Sequence, residues 1–244
     1  ADYLPKPSNV SSMGGASEFQ RGLIEKILGL GRARRRRKLS GKGPQAAVAA
    51  RAAPIALRKP GLKLAEALVI GSSTGGPQAL LTLFGAFKTS VRLPILITQH
   101  MPATFTGILA AHLEKTSGMK AAEGKDGETI QPGRIYVAPG NFHMLVEKKG
   151  AERVIRLSQD PPENFCRPAV DPMLRSLAQA YDGKLLVVIL TGMGQDGMLG
   201  AQAAVEMGAT VVAQDEASSV VWGMPGAVAT AGLASAVLPL ARIA

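Results

Sequence analysis

The sequence predicts an α/β domain in which a parallel β-sheet is covered by helices on both faces. Three observations lead there. From Leu64 onward, short runs rich in aliphatic and β-branched residues alternate with amphipathic stretches of helical length. Several of those runs are apolar at every position, as strands buried on both faces must be. Helical segments separate them, which makes parallel crossovers the natural connection.

Taken in order, residues 67–70 form the first strand, and a Gly-rich turn leads into a helix over 77–87. A second strand over 94–98 precedes a helix over 104–115. In the middle, residues 144–147 and 153–157 flank Lys148-Lys149-Gly150 and read as a β-hairpin inserted into the sheet. The run 185–190 then precedes a helical stretch over 198–207, and 210–213 precedes one reaching from Met224 to Ala231. There is no internal repeat. These elements make one domain over residues 63–244, within the usual single-domain size.

Composition alone points elsewhere. The 28 Lys and Arg residues against 18 Asp and Glu give a net charge of +10, a balance common in chains that bind nucleic acid or anionic membranes. Position removes that signal, because residues 1–60 hold 13 of the basic and 3 of the acidic residues, leaving 15 of each in 61–244. Residues 8–62 mix Ser, Gly, Ala and Pro with the run Arg34-Arg35-Arg36-Arg37-Lys38 and read as a basic linker. No aromatic side chains interleave with those charges to stack on bases, so nucleic acid is not expected as a partner. Within the linker, Leu23, Ile24, Ile27 and Leu30 are spaced as on a short docking helix. The single cysteine, Cys166, excludes a disulfide scaffold and a cysteine-based zinc site and fits a reducing cytoplasm. The run 185–190 is far too short to span a bilayer.

In an open parallel sheet, ligands bind where the C-terminal ends of strands meet their loops. Three such loops carry chemistry: Gly71-Ser72-Ser73-Thr74-Gly75 after the first strand, Gln99-His100-Met101 after the second, and Thr191-Gly192-Met193-Gly194-Gln195-Asp196-Gly197 after the run 185–190. The first fits G-x-S-x-G, a turn that exposes the Oγ of its middle serine, here Ser73. A P-loop is excluded, since no Gly-Lys-Ser/Thr follows. A dinucleotide turn lacks its acidic ribose ligand, and a mere strand-to-helix connector is the remaining alternative. Ser73 needs a base, and His100 stands at the same end of the sheet. His112 falls inside a helix and reads as a packing or surface residue, while His143 enters the hairpin, where structural and substrate-facing roles are both open. Asp196 is the candidate that orients the base, ahead of Asp171, which with Pro172 reads as a helix N-cap, and Asp215, which sits in a turn. The backbone N–H groups of Thr74 and of the Met193 region are candidate oxyanion donors. Arg167, in a loop, could meet an acidic substrate, and Cys166 reads as an inert thiol. No His/Asp/Glu pair has metal-ligand spacing, so neither metal nor cofactor is expected.

These segments resemble a known family. Ile70-Gly-Ser-Ser-Thr-Gly-Gly-Pro77, Ile97-Thr-Gln-His-Met-Pro102, Pro132-Gly-Arg-Ile-Tyr-Val-Ala-Pro-Gly140, Leu190-Thr-Gly-Met-Gly-Gln-Asp-Gly197 and Ala213-Gln-Asp-Glu-Ala-Ser-Ser-Val-Val-Trp-Gly-Met-Pro225 closely resemble the catalytic domain of the CheB family of chemotaxis protein-glutamate methylesterases. The resemblance runs from about Ala67 to Leu240. It implies a doubly wound parallel sheet and a cytoplasmic serine hydrolase of chemotaxis signalling. That enzyme would remove methyl groups from glutamates of methyl-accepting chemoreceptors and deamidate receptor glutamines, with Ser73, His100 and Asp196 as its triad and no cofactor. A second resemblance lies in Asp2-Tyr-Leu-Pro-Lys-Pro7, which is similar to the tail of a response-regulator receiver domain. It implies a chemotaxis histidine kinase as a further partner, acting through the receiver, and a division into receiver tail (1–7), linker (8–62) and catalytic domain (63–244).

Overall fold

Seven strands form one parallel sheet in the order β3-β4-β2-β1-β7-β8-β9, where β1 is Ala67–Ser72, β2 Ile95–Gln99, β3 Ala121–Glu123, β4 Ile135–Val137, β7 Leu185–Ile189, β8 Thr210–Gln214 and β9 Ala236–Leu238. This computed structural model describes residues 55–87 and 91–244, together with Ile24 and Ile27, two helical positions with exposed side chains. The receiver-like tail, most of the basic linker and the rest of its helical spacing lie outside the described residues.

Alternation along β1 divides the core. Leu68 and Ile70 pack on one face with Leu80, Leu83 and Phe84 of α1 (Gly76–Ala86) and Leu109 and Leu113 of α2 (Ala103–Ser117). Ala67 and Val69 face the other way, toward Met173, Leu174 and Leu177 of α3 (Val170–Ala180), Ala201 and Ala204 of α4 (Met198–Glu206) and Val228 of α5 (Met224–Thr230). Each fully buried aliphatic side chain contributes about 1.5–3 kcal/mol relative to exposure, so a sheet covered on both sides is what these runs favour. This is the doubly wound arrangement. The chain leaves β1 for β2 on one side, and β7 pairs with β1 on the other, which opens a crevice at the C-terminal ends of these three strands.

Three observations modify the expectations. The hairpin strands β5 (His143–Lys149) and β6 (Glu152–Ser158) form a separate two-stranded sheet outside the main one, and Met144, Val146 and Ile155 pack into the core beside α3. Strands β3, β4 and β9 extend the edges of the main sheet with three residues each. Asp171 is not an N-cap: that place is held by Ala169, and Asp171 lies buried in the first turn of α3. On the approach to β1, Arg58 N–H donates to Ala234 O (3.0 Å), Gly61 N–H to Thr210 Oγ1 (3.0 Å) and Lys63 Nζ to the carbonyls of Asp182 and Met207.

Candidate active site

The crevice gathers the three predicted loops. The β1–β2 register pairs Ser72 with Gln99, so Ser73 and His100 are the next residues on adjacent strands, and His100 N–H donates to Ser72 O at 3.0 Å. The two serines differ in their surroundings. Ser72 is fully buried and its Oγ donates to Gln99 Oε1, whereas Ser73 keeps 8% of its surface at the crevice. Gln99 Nε2 in turn donates to Ser73 O, and Ser73 N–H to Thr191 O, which fixes the serine backbone between β2 and the β7 loop.

Two glycines make this turn possible. Gly75 adopts φ +81, a left-handed conformation that a side chain would strain, and a Cβ there would lie 2.7 Å from Val220. At Gly192 a Cβ would stand 2.9 Å from that of Ser73, so the β7 loop approaches the serine only because this position is glycine.

His100 and Asp196 meet directly. His100 Nε2 donates to Asp196 Oδ2 at 2.7 Å, and the carboxylate, 1% exposed, also accepts from the N–H groups of Val170 (2.6 Å), Asp171 (3.0 Å) and Gly197 (3.0 Å) and from Asn164 Nδ2 (3.0 Å). Two of these donors are the opening residues of α3, so the anion sits at the positive end of that helix. Burial opposes the charge of Asp196, but the hydrogen bond and charge of His100 and the helix donors outweigh it and hold the carboxyl below its usual range. Its neighbour Asp171 is pushed up by burial and by the Asp196 charge, while its oxygens accept from Gly200 N–H and Asn164. Burial also opposes the charged form of His100. The Cys166 sulfur and the Asp196 carboxylate override that opposition and push the imidazole up to about 10.

Cys166, read from the sequence as an inert thiol, stands at the site, with its Sγ 3.4 Å from His100 Nδ1. The sequence places Asn164 in the same long loop as Arg167, between hairpin and helix, and gives it no role of its own. Both contacts arise from a loop more than sixty residues downstream of the histidine, beyond the reach of strand-end motifs. Arg167 lines a cavity of about 400 Å³ with His100, Met101, Asn141 and Cys166, and its Nη1 donates to the carbonyls of Gln159 and Asp160. The remaining histidines stand apart: His112 is exposed on α2, and buried His143 accepts Ala169 N–H at Nδ1 while its Nε2 meets Pro161 O. Asp215 caps its own turn by accepting from Ser218. Among the described residues, neither Thr74 N–H nor Met193 N–H has a hydrogen-bond acceptor.

A glycine-framed serine beside a buried imidazole–carboxylate pair is equipped for acyl transfer. Residues 68–244 match the family model described as CheB methylesterase. The chain belongs to the CheB methylesterase family. It is 56% identical to a protein-glutamate methylesterase/protein-glutamine glutaminase 1 of Paramagnetospirillum magneticum, an alignment that covers all of this chain and 68% of that protein. It is 54% identical to the protein-glutamate methylesterase/protein-glutamine glutaminase of Azospirillum brasilense, covering all of this chain and 66% of that one. The crystal structure of the Thermotoga maritima CheB methylesterase catalytic domain superposes with a TM-score of 0.71 at 41% identity, over 73% of this chain and 95% of that domain. Among the described residues no helix is long and apolar enough to cross a membrane.

Proposed function

We propose that this CheB-family chain is a serine hydrolase that cleaves methyl esters of glutamate side chains on methyl-accepting chemoreceptors and deamidates receptor glutamines, with Ser73 as nucleophile, His100 as base and Asp196 as its orienting acid. The observation that carries the assignment is the 2.7 Å His100–Asp196 hydrogen bond at the end of β2, one register step from Ser73. Because Nε2 is committed to Asp196, Nδ1 is the nitrogen that accepts the proton of Ser73 as Oγ attacks the γ-carbonyl. The tetrahedral oxyanion is met by the N–H groups of Thr74 and Met193, which have no acceptor among the described residues. The proton returns to the leaving methanol, or to ammonia when the substrate is glutamine. Water, deprotonated at the same nitrogen, then hydrolyses the acyl-enzyme and frees the carboxylate. In this reading Arg167, which lines the cavity, meets an acidic segment of the receptor. A chemotaxis histidine kinase is the further partner that the receiver-like residues 2–7 bring into the proposal.

The test is release of labelled methanol from methylated receptor membranes. Ser73→Ala should lower it by roughly a thousandfold or more, whereas Ser72→Ala should retain most of it. Robust turnover by Ser73→Ala would remove the serine from its role.

A further inference from the structure

The loop before α3 touches both members of the imidazole–carboxylate pair. Asn164 Nδ2 donates to Asp196 Oδ1 at 3.0 Å and to Asp171 Oδ2 at 2.9 Å, while Cys166 Sγ lies 3.4 Å from His100 Nδ1. Between them Phe165 points outward, 89% exposed. Consecutive left-handed residues, Asn164 at φ 50 and Phe165 at φ 61, produce this in–out–in pattern. The loop is itself tied down. Glu163 and Cys166 exchange backbone hydrogen bonds at 2.8 and 3.2 Å, and the Glu163 carboxylate pairs with Arg175 on α3.

We propose that the Asn164–Cys166 turn is a positioning clamp for the catalytic pair, with Asn164 fixing the carboxylate and Cys166 holding the imidazole by Nδ1 until Ser73 takes that nitrogen. The proposal rests on the assignment of His100 as base. In the neutral ring with Nε2–H turned to Asp196, Nδ1 is a bare acceptor and the thiol S–H is its donor. The same nitrogen must receive the serine proton, so the thiol keeps the ring in its working rotamer and yields its place during turnover. Asp196 and Cys166 touch the ring, Asp171 lies one amide bridge further, and the Arg167 guanidinium stands on the same cavity wall. Of these, the sulfur acts in two forms: as S–H it places the neutral ring, and as thiolate facing a protonated Nδ1 it adds to the raised proton affinity of His100.

Two readouts separate placement from charge in the intact chain. On a small soluble ester, Cys166→Ala should lower kcat about tenfold with KM within about twofold, and the acidic limb of kcat/KM should move to lower pH. Cys166→Ser restores a hydroxyl donor and should recover most of kcat, yet keep the shifted limb because a hydroxyl does not ionise there. Asn164→Ala should lower kcat similarly, and the double variant should lose less than the product of the two. Unchanged kcat and limb in Cys166→Ala would overturn the clamp. So would loss in Cys166→Ala as deep as in Ser73→Ala, without rescue by serine and with an acyl group found on Cys166 of the unsubstituted chain, since the thiol would then be the nucleophile. An NMR titration of the His100 ring in the Ser73→Ala background tests the contact without turnover. A lower ring pKa on adding Cys166→Ala supports the clamp even if Ser73 fails as nucleophile, and an unchanged one overturns it. Should Cys166→Ala not fold, the limb of Cys166→Ser decides.

Discussion

At the scale of single residues, Asp196 shows how one side chain couples structure to chemistry. Five donors converge on its two oxygens, and only one of them, His100, has a part in the proposed reaction. Asp196→Asn would place an amide NH2 against donors that need acceptors, so the variant should lose about 1–3 kcal/mol of stability. In catalysis, the amide would favour the wrong imidazole tautomer, and turnover should fall on the order of ten thousandfold. Measuring melting temperature and turnover on the same protein separates the roles, since a purely structural carboxylate predicts the first loss without the second. Ser73, His100 and Asp196 were legible in the sequence because each follows an apolar run that ends at the binding edge of the sheet. Cys166 and Asn164 were not, because their partners are set by how the loop before α3 folds back over the crevice.

At the scale of elements, legibility followed length. Strands β1, β2, β7 and β8 stand out as continuous apolar runs, whereas three-residue strands such as Ile135–Val137 are shorter than any pattern that could announce them. Asp171-Pro172 looked like the opening of a helix and does mark one, but the chain enters α3 two residues earlier, and this is what aims the Val170 and Asp171 N–H groups at Asp196. The β7 loop offers the sharpest test at this scale. A methyl at Gly192 would come within 2.4 Å of Met224 Sδ and 2.9 Å of Ser73 Cβ, so Gly192→Ala should cost about 1–3 kcal/mol and lower turnover at least tenfold by displacing the serine. Gly194→Ala is the control. Its φ is +84 but nothing lies within 4 Å of the added Cβ, so it should cost about 1–2 kcal/mol of backbone strain with turnover nearly unchanged. Equal activity losses in the two variants would mean that the loop matters through its flexibility, not through its approach to Ser73.

At the scale of the whole molecule, charge and fold occupy different parts of the chain. Residues 61–244 carry 15 charges of each sign, and the family match begins at Leu68, so the net +10 belongs to the residues before the sheet. The described tethers at the boundary come late: Arg58 bonds to Ala234, Gly61 to Thr210, and Lys63 to the carbonyls at Asp182 and Met207. Everything that builds the crevice, from β1 to α5, lies beyond them. A chain that begins at Ile55 keeps all of these contacts while losing eleven of the thirteen basic residues that precede residue 61. It should therefore melt within a few degrees of the full chain and hydrolyse a small soluble ester at the same rate. Its activity on anionic receptor membranes should lose whatever salt dependence the basic run supplies, because the remaining domain is close to neutral. A variant that unfolds, or that loses most of its activity on the small ester, would make residues 1–54 part of the catalytic domain and not a charged attachment to it.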